Sequence, residues 1–265
     1  MHAQHLQLPQ IGIDTHAHLD MKPLCKDMQG VIDRAFESGV SSIGNVFLNH
    51  KAYIRGHDLF SNQENVFFLL GVHPHEAHLV DQDELQGIRQ EFVRDHRLKA
   101  LGEIGLDYFR LRQPRQVQIN AFQAQLALAR ELDVPVVIHA RDAEQDVLRI
   151  LKGMGFLHRP LLWHCFGQNL ELGRIIVDNG WNISIPGIVT YPQAKELQKA
   201  AAYLPLDSLM LETDCPFLAP VPCRGRKNEP AFLAYTACKV AELQNINPEL
   251  VWEKTAASAR DFFRL

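Results

Sequence analysis

The sequence lacks three features that would place the protein in a membrane or outside the cell. It has no run of about 18 consecutive apolar residues, the length that a membrane-spanning helix requires. Its first ten residues have neither the charged nor the apolar region of a secretory signal. Its five cysteines are an odd number without C-x-x-C spacing, which argues against a disulfide framework. We therefore expect a cytoplasmic protein with reduced thiols.

The sequence also contains little that would divide it or attract a polyanion. No low-complexity tract, linker or obvious repeat interrupts the 265 residues, and 46% of them are hydrophobic, which is enough for a large core. This length fits one large domain or two small ones, and we expect one domain over residues 1–265. The formal net charge is −4, so the chain has no global basic field. A nucleic-acid substrate would have to be held by local charge and by metal.

Short β-rich segments alternate with helical segments along the chain. Several are continuous apolar runs, such as Val134 to Ile138, which is typical of parallel strands buried on both faces. Strands are predicted at residues 11–14, 42–46, 66–71, 100–103, 135–139, 161–164, 182–185 and 209–212. Eight strand–helix units in about 250 residues predict a single (β/α)8 barrel of the TIM type. The alternative is a doubly wound open sheet, but no GxGxxG-type phosphate loop follows the first strand.

Six polar side chains fall at or just past the carboxyl ends of predicted strands. His16 and His18 follow the first strand at positions i and i+2, so an extended backbone points both to the same side. The other four end later strands and are Glu103, His139, His164 and Asp214. Because the carboxyl ends of barrel strands gather at one mouth, we expect these side chains to converge there.

Each of these residues has a structural alternative when it is considered alone. His139 could be a hydrogen-bonded core histidine, Glu103 a salt-bridge partner and Asp214 a helix N-cap. A buried carboxylate or imidazole without a partner costs several kcal/mol, so a cluster of them demands a cation or dense pairing. Six ligands exceed the four that a tetrahedral ion needs, whereas two ions about 4 Å apart would use all six. Glu103 is the natural bridge, because it comes from the middle of the set.

The ordered motifs of the chain resemble those of the TatD family of metal-dependent hydrolases, in the amidohydrolase-like group of barrels. The resemblance extends over nearly the whole chain. It is carried by Ile13-Asp14-Thr15-His16-Ala17-His18-Leu19-Asp20, Gly71-Val72-His73-Pro74, Gly102-Glu103-Ile104-Gly105-Leu106-Asp107-Tyr108, Ile138-His139-Ala140-Arg141, His164-Cys165-Phe166, Glu212-Thr213-Asp214-Cys215-Pro216 and Arg224-Gly225-Arg226-Lys227-Asn228-Glu229-Pro230.

The resemblance implies two divalent cations per subunit. One would be held by His16, His18, Glu103 and Asp214, and the other by Glu103, His139 and His164. Mixed nitrogen and oxygen ligands admit Zn, Mg or Mn. Asp214 would also accept the proton of the attacking water. Members of the family are described as divalent-metal nucleases, several of which act on DNA from the 3′ end. Because the net acidity of the chain disfavours tight nonspecific binding to a duplex, we expect single-stranded nucleic acid to be the substrate.

Three further residues are candidates for substrate contact. His73 could donate to a phosphate or support the metal ligands. Arg141 could clamp a phosphate with its guanidinium fork, or pair with Glu212 or Asp142. Arg224 belongs to a basic patch with Arg226 and Lys227 that could bind a polyanion or simply be solvated. An unpaired base could stack on Tyr108, Phe109 or Trp163.

Two other functions remain open at this point. The same two cations could hydrolyse an amide, an ester or a lactone, because a fold shared by many enzymes gives only analogy. The metal could instead serve stability alone, although structural zinc sites are usually closed and rich in sulfur, and this ligand set has no thiolate. Neither a membrane nor an obligate protein partner is expected.

Overall fold

The computed structural model describes residues 8–265, and within them eight parallel strands alternate with helices. The strands follow one another in the sheet in the order β1 to β8. Their bounds are β1 Gly12–Ala17, β2 Val40–Phe47, β3 Val66–Leu70, β4 Leu98–Asp107, β5 Val136–Arg141, β6 Leu161–Trp163, β7 Asn182–Ile185 and β8 Leu209–Leu211. This is the architecture of a (β/α)8 barrel, as the sequence predicts.

Nine α-helices of the described chain accompany the strands, with short 3-10 turns between them. They are α1 Met28–Glu37, α2 His50–Gly56, α3 Gln82–Arg94, α4 Arg115–Leu132, α5 Glu144–Gly153, α6 Leu170–Asp178, α7 Lys195–Tyr203, α8 Leu233–Gln244 and α9 Pro248–Phe263. None of the helices between residues 8 and 265 combines the length and the apolar character of a membrane span.

All eight predicted strands overlap observed ones, but four of them, β1, β2, β4 and β5, extend further towards their carboxyl ends. β1 includes His16, and β5 continues past His139 to Arg141. The prediction that Glu103 ends its strand is wrong, because β4 continues to Asp107. The pairing of β4 with β5 shifts register between Leu101 and Ile104 and then resumes up to Asp107. Such irregularities re-aim side chains near barrel rims, which explains how a residue within β4 reaches the site.

The described residues divide into two compact units. The first comprises the described part of Met1–Asn45 together with Cys165–Asp178 and Asn182–Leu265, and the second comprises Val46–His164 and Asn179–Trp181. The single domain over residues 1–265 stays a prediction.

In the first unit, the C-terminal helix packs against the first strand. The indole of Trp252 in α9 occupies the space beside Gly12 that a side chain there would need. The same indole donates a hydrogen bond to the carbonyl of Pro9 at 2.8 Å. β1 pairs with β2, and Ala17 at its end forms a parallel bridge with Cys215, just after β8. Both ends of β1 are therefore fixed.

In the second unit, the core beside β3 is a cluster of aromatic rings. Phe47, Tyr53, Phe60 and Phe68 meet edge to face, with ring centroids 5.3 to 6.3 Å apart. Such pairs contribute about 0.5–1.5 kcal/mol each beyond the burial of their area. β3, β4, β5 and β6 pair in parallel, each with the next. Trp163 cannot stack on a base of a substrate, as the sequence left open, because its side chain is fully buried.

The close approach of β4 to β5 can be tested at Gly105. Its φ is +145°, and a Cβ atom there would collide with the carbonyl oxygen of His139. We expect Gly105→Ala to destabilise the fold by about 1–3 kcal/mol, because a strained backbone and a close contact act together. Gly153 in α5 is the matched control, since a Cβ there meets nothing within 4 Å. Urea unfolding should show a lower midpoint for Gly105→Ala and an equal or higher one for Gly153→Ala. Equal midpoints for Gly105→Ala and the unaltered protein would contradict the geometry.

Candidate metal centre

The first cluster consists of His16, His18 and Asp214, all in the first unit. One ligand atom from each residue lies within 4.8 Å of the others. The Nε2 atoms of His16 and His18 are 3.9 and 3.4 Å from the same Asp214 carboxylate oxygen. The two imidazoles are 5.1 Å apart between centroids, so they point to the same side of β1, as their i and i+2 spacing predicts.

Backbone hydrogen bonds position this cluster. The N–H of Asp214 donates to the carbonyl of His16 at 2.9 Å, and the N–H of His18 donates to the carbonyl of Cys215 at 2.8 Å. Asp214 has a φ of +53°, a left-handed conformation that Asp adopts more readily than most residues. The segment after β8 is thus hydrogen-bonded to the end of β1, which brings side chains some 200 residues apart into one cluster.

Asp14 supports the same junction from within the core. Its buried carboxylate accepts hydrogen bonds from the backbone N–H of Thr213 at 2.9 Å and from the Thr213 hydroxyl. Burial raises the pKa of Asp14 to about 7, although the hydrogen bonds from Thr213 oppose the shift. Asn228 fixes the other side of the loop by donating to the carbonyls of Thr213 and Phe217. Asp214 is therefore held from two directions.

The second cluster, in the second unit, surrounds Glu103. One oxygen of this buried carboxylate lies 2.6 Å from Nδ1 of His139, 3.1 Å from Nε2 of His164 and 3.5 Å from Nε2 of His73. Ligand atoms of His73, Glu103 and His139 all lie within 4.8 Å of one another. His73, for which the sequence leaves either substrate contact or support open, is therefore a neighbour of predicted ligands. Burial, together with the charges of His139 and His75, lowers its pKa to about 3.

Asp107 forms the outer layer of this cluster. Its carboxylate lies 3.2 Å from Nε2 of His139 and 3.0 Å from Nε2 of His75. Burial alone would raise the pKa of Asp107, but its hydrogen bonds with His139 and the Arg110 N–H outweigh burial and hold the pKa below its usual range. Burial lowers the pKa of His139, but its hydrogen bonds with Asp107 and Glu103 have the larger combined effect and raise that pKa above its usual value.

Two buried glutamines of α4 position the backbone of the second cluster. The Gln125 amide accepts from the N–H of Val72 and donates to its carbonyl, at 2.7 and 3.0 Å. Gln118 makes the same pair of hydrogen bonds with Asp107, at 2.8 and 3.0 Å. Val72 directly precedes His73, and Asp107 lies four residues after Glu103 in β4. Sequence reasoning missed both glutamines. The available signal was two amides seven residues apart on the apolar side of a helix.

The donor chemistry of both clusters fits a divalent cation. All ligand atoms are imidazole nitrogens or carboxylate oxygens, which suit zinc, manganese and magnesium to different degrees. Burying these groups destabilises the folded protein unless an opposite charge or hydrogen bonds compensate for the lost water. His139 shows the arrangement expected of a ligand, because one ring nitrogen faces Glu103 and the other is oriented by Asp107.

The remaining predicted substrate residues lie on exposed surface. The guanidinium of Arg141 stacks over the ring of Phe109 at 4.0 Å, and that of Arg224 over Tyr191 at 4.4 Å. Their contact with substrate stays a prediction.

A family model described as TatD-related DNase matches residues 13–264. The chain belongs to this family. The resemblance drawn from the sequence motifs is thereby confirmed.

Relatives in the TatD family cover the chain almost end to end. The metal-dependent hydrolase YabD of Bacillus subtilis is 34% identical over 95% of this chain and 98% of its own length. YcfH of Escherichia coli, also a metal-dependent hydrolase, is 34% identical over 96% of each chain. The crystal structure of YJJV, a TatD homologue from Escherichia coli, aligns with a TM-score of 0.89 at 28% identity, covering 96% of this chain and 98% of YJJV. The protein is thus a metal-dependent hydrolase of the TatD family.

The role of Asp107 can be tested through metal affinity. Asp107→Asn keeps the side-chain shape but removes the charge that orients His139, so we expect metal to bind about 10- to 100-fold more weakly. The matched control is Asp58→Asn, a substitution at a carboxylate that is 88% exposed and contacts His57. Competition with a chromogenic chelator gives the dissociation constants. Unchanged affinity in Asp107→Asn would show that this carboxylate is dispensable for the cluster.

Proposed function

We propose that the protein is a divalent-metal-dependent phosphodiesterase that degrades single-stranded DNA from its 3′ end. The observation that carries the proposal is the presence, in a member of the TatD-related DNase family, of two buried clusters of nitrogen and oxygen ligands. The clusters stand at or near the carboxyl ends of their strands, which gather at one mouth in a barrel. We infer that they hold two cations, with Glu103 shared between them.

The ligand roles in this proposal follow the two clusters. His16, His18 and Asp214 would hold one cation together with Glu103, and Glu103, His139 and His164 would hold the other. A divalent cation lowers the pKa of bound water from 15.7 towards about 7 and stabilises negative charge on a phosphoryl group.

The chain's own groups supply the proton transfer and the positioning. Asp214 accepts the proton of the attacking water, because its carboxylate belongs to the first cluster, beside which that water would be bound. Asp107 fixes the ring of His139 and so keeps one nitrogen directed at Glu103. Asp14 and Asn228 hold the backbone around Asp214 while its charge changes.

DNA is favoured by the family name, and a single strand by the charge of the chain. A net charge of −4 disfavours tight nonspecific binding to a duplex. Short or frayed strands can be held instead by local basic groups.

Asp214→Asn tests the proton acceptor. The substitution preserves shape but removes the base, so we expect turnover to fall by at least ~10². The matched control is Asp207→Asn, because Asp207 is 76% exposed and pairs only weakly with Lys254 at the surface. Metal content is measured beside turnover, so that lost metal is distinguished from lost base. Turnover near that of the unaltered protein would reject the role.

A reconstitution experiment tests the substrate class. Protein stripped of metal is reloaded with Zn, Mn or Mg and assayed on end-labelled single-stranded DNA and RNA beside ester, lactone and amide panels. We expect activity only with metal, and on DNA with products released from the 3′ end. Activity confined to the acyl panels would instead support the amide, ester or lactone hydrolase.

The basic patch of Arg224, Arg226 and Lys227 is a candidate phosphate contact on the loop after β8. Two of its guanidinium groups stack on aromatic rings, over Tyr191 and Phe232, at 4.4 and 5.3 Å. If it binds the polyanion, replacing the three residues with Met should reduce the slope of log affinity against log salt by about 2, because each neutralised charge contributes roughly 0.7. Fluorescence anisotropy across a salt series measures the slope. An unchanged slope would remove the patch from the site.

A further inference from the structure

A second basic surface lies on the loop between β4 and α4. It consists of Phe109, Arg110 and Arg112 together with Arg141 at the end of β5, and we call it the Phe109 surface. All four side chains are exposed, and the Phe109 ring is 58% exposed. The guanidinium carbon of Arg141 lies 4.0 Å from the centroid of that ring. One side of the aromatic ring is thus covered by a cation, while much of the ring stays accessible.

The three arginines of this surface are not neutralised by the protein. Within residues 8–265, none of their guanidinium groups forms an ion pair with a carboxylate. Arg89 and Arg97, in the same unit, do form such pairs, with Glu131 and Asp95. An uncompensated concentration of positive charge on a chain of net charge −4 makes this surface locally attractive to an anionic partner.

The Phe109 surface adjoins the second cluster. Phe109 is two residues beyond Asp107, and Arg141 is two residues beyond His139. Asp107 and Arg141 are register partners in adjacent parallel strands. The carboxylate of Asp107 also accepts a hydrogen bond from the backbone N–H of Arg110 at 2.7 Å, which fixes the start of the loop relative to the cluster. A strand bound here would lie next to the candidate metal centre.

The neighbouring cavity limits the path that a polyanion can take. It has a volume of about 340 Å³ and is lined by Tyr108, Arg115 and the carboxylates of Asp142, Glu144 and Asp146. Arg115 stacks on Tyr108 beside these carboxylates, so its charge is locally offset. The carboxylates of this cavity therefore disfavour a phosphate there, whereas the Phe109 surface carries three arginines that form no ion pair among residues 8–265.

We propose that the Phe109 surface binds single-stranded nucleic acid, with one base stacked on Phe109 and the backbone phosphates on Arg110, Arg112 and Arg141. This inference rests on the proposed function and adds the path and recognition mode of its substrate. Aromatic stacking on a base tolerates any sequence, because every base has a π-face, and guanidinium groups supply the accompanying backbone contacts. A duplex offers no free base face to Phe109, so the surface selects unpaired strands.

The test compares binding of two fluorescent probes by the metal-loaded full chain. One probe is a short single-stranded oligothymidylate with phosphorothioate linkages, which slow cleavage, and the other is an abasic strand of the same length and backbone. Phe109→Ala should weaken binding of the thymidylate by about 5- to 100-fold and leave binding of the abasic strand unchanged. Phe109→Trp should preserve both affinities.

The arginines are tested on the same probes by the combined variant Arg110→Met, Arg112→Met, Arg141→Met. It should weaken binding of both strands and reduce the salt slope by about 2. The matched control is Arg55→Met, an exposed arginine of α2 in the same unit, which should leave both affinities and the slope unchanged. Thermal unfolding of each variant excludes loss of the fold.

Two outcomes overturn the inference: equal affinity of Phe109→Ala and the unaltered protein for the thymidylate, or no binding of either probe by the unaltered protein. Hydrolysis of bis(p-nitrophenyl) phosphate separates this result from the proposed function, because that diester has neither a base nor a polyanionic backbone. If the diester and DNA are both left intact but the Phe109 variants lose strand binding, the nuclease proposal fails and the binding surface stands. If both are cleaved and the variants bind normally, only the surface is rejected.

Discussion

The site depends on the buried carboxylate of Glu103, one oxygen of which faces three imidazoles. A carboxylate removed from water is costly unless charge or hydrogen bonds compensate it, so this arrangement needs protons or a cation between its members. Two features of the β4 backbone place this carboxylate. The register shift before Ile104 turns Glu103 towards the imidazoles from within the strand, and Gly105 allows the close approach of the His139 carbonyl. The register shift in β4 thus has a consequence for the site, because it determines the direction of the Glu103 side chain.

The sequence predicts the barrel, and the polar residues that the structure brings together in each cluster, because both follow periodic rules. Their role as metal ligands stays a prediction. Apolar runs mark parallel strands, and polar residues at their carboxyl ends mark a barrel mouth. The position of Glu103 was predicted less well, because a bulge inside a strand leaves no periodic signal. Gln118 and Gln125 were missed for a related reason: a glutamine inside a helix is ordinarily a surface residue, and only tertiary contact shows that each amide satisfies a backbone pair.

The net charge of the chain says little about how positive charge is distributed over its surface. A net charge of −4 suggests no preference for polyanions, and the contiguous Arg224 to Lys227 segment is conspicuous in the sequence. The structure adds which of the arginines are paired with a carboxylate. Arg89 and Arg97 are compensated by Glu131 and Asp95, whereas Arg141 stacks on an aromatic ring. Since Coulomb interactions between exposed charges are largely screened beyond about 10 Å at moderate salt, such local differences, and not the net charge, set the potential that an anion meets at each surface.

The second cluster contains histidines with opposite titration behaviour, and this follows from their neighbours. Burial and nearby imidazoles keep His73 neutral, and its Nδ1 accepts the N–H of His75, so its proton stands on Nε2, towards Glu103. His139 lies between two carboxylates that favour its protonated form despite burial. A cation binds only a deprotonated ring nitrogen, so the two carboxylates of Glu103 and Asp107, which favour the protonated ring, oppose metal uptake at His139. Asp107 therefore acts in two opposing ways, since it orients the ligand and also strengthens the proton that competes with the metal.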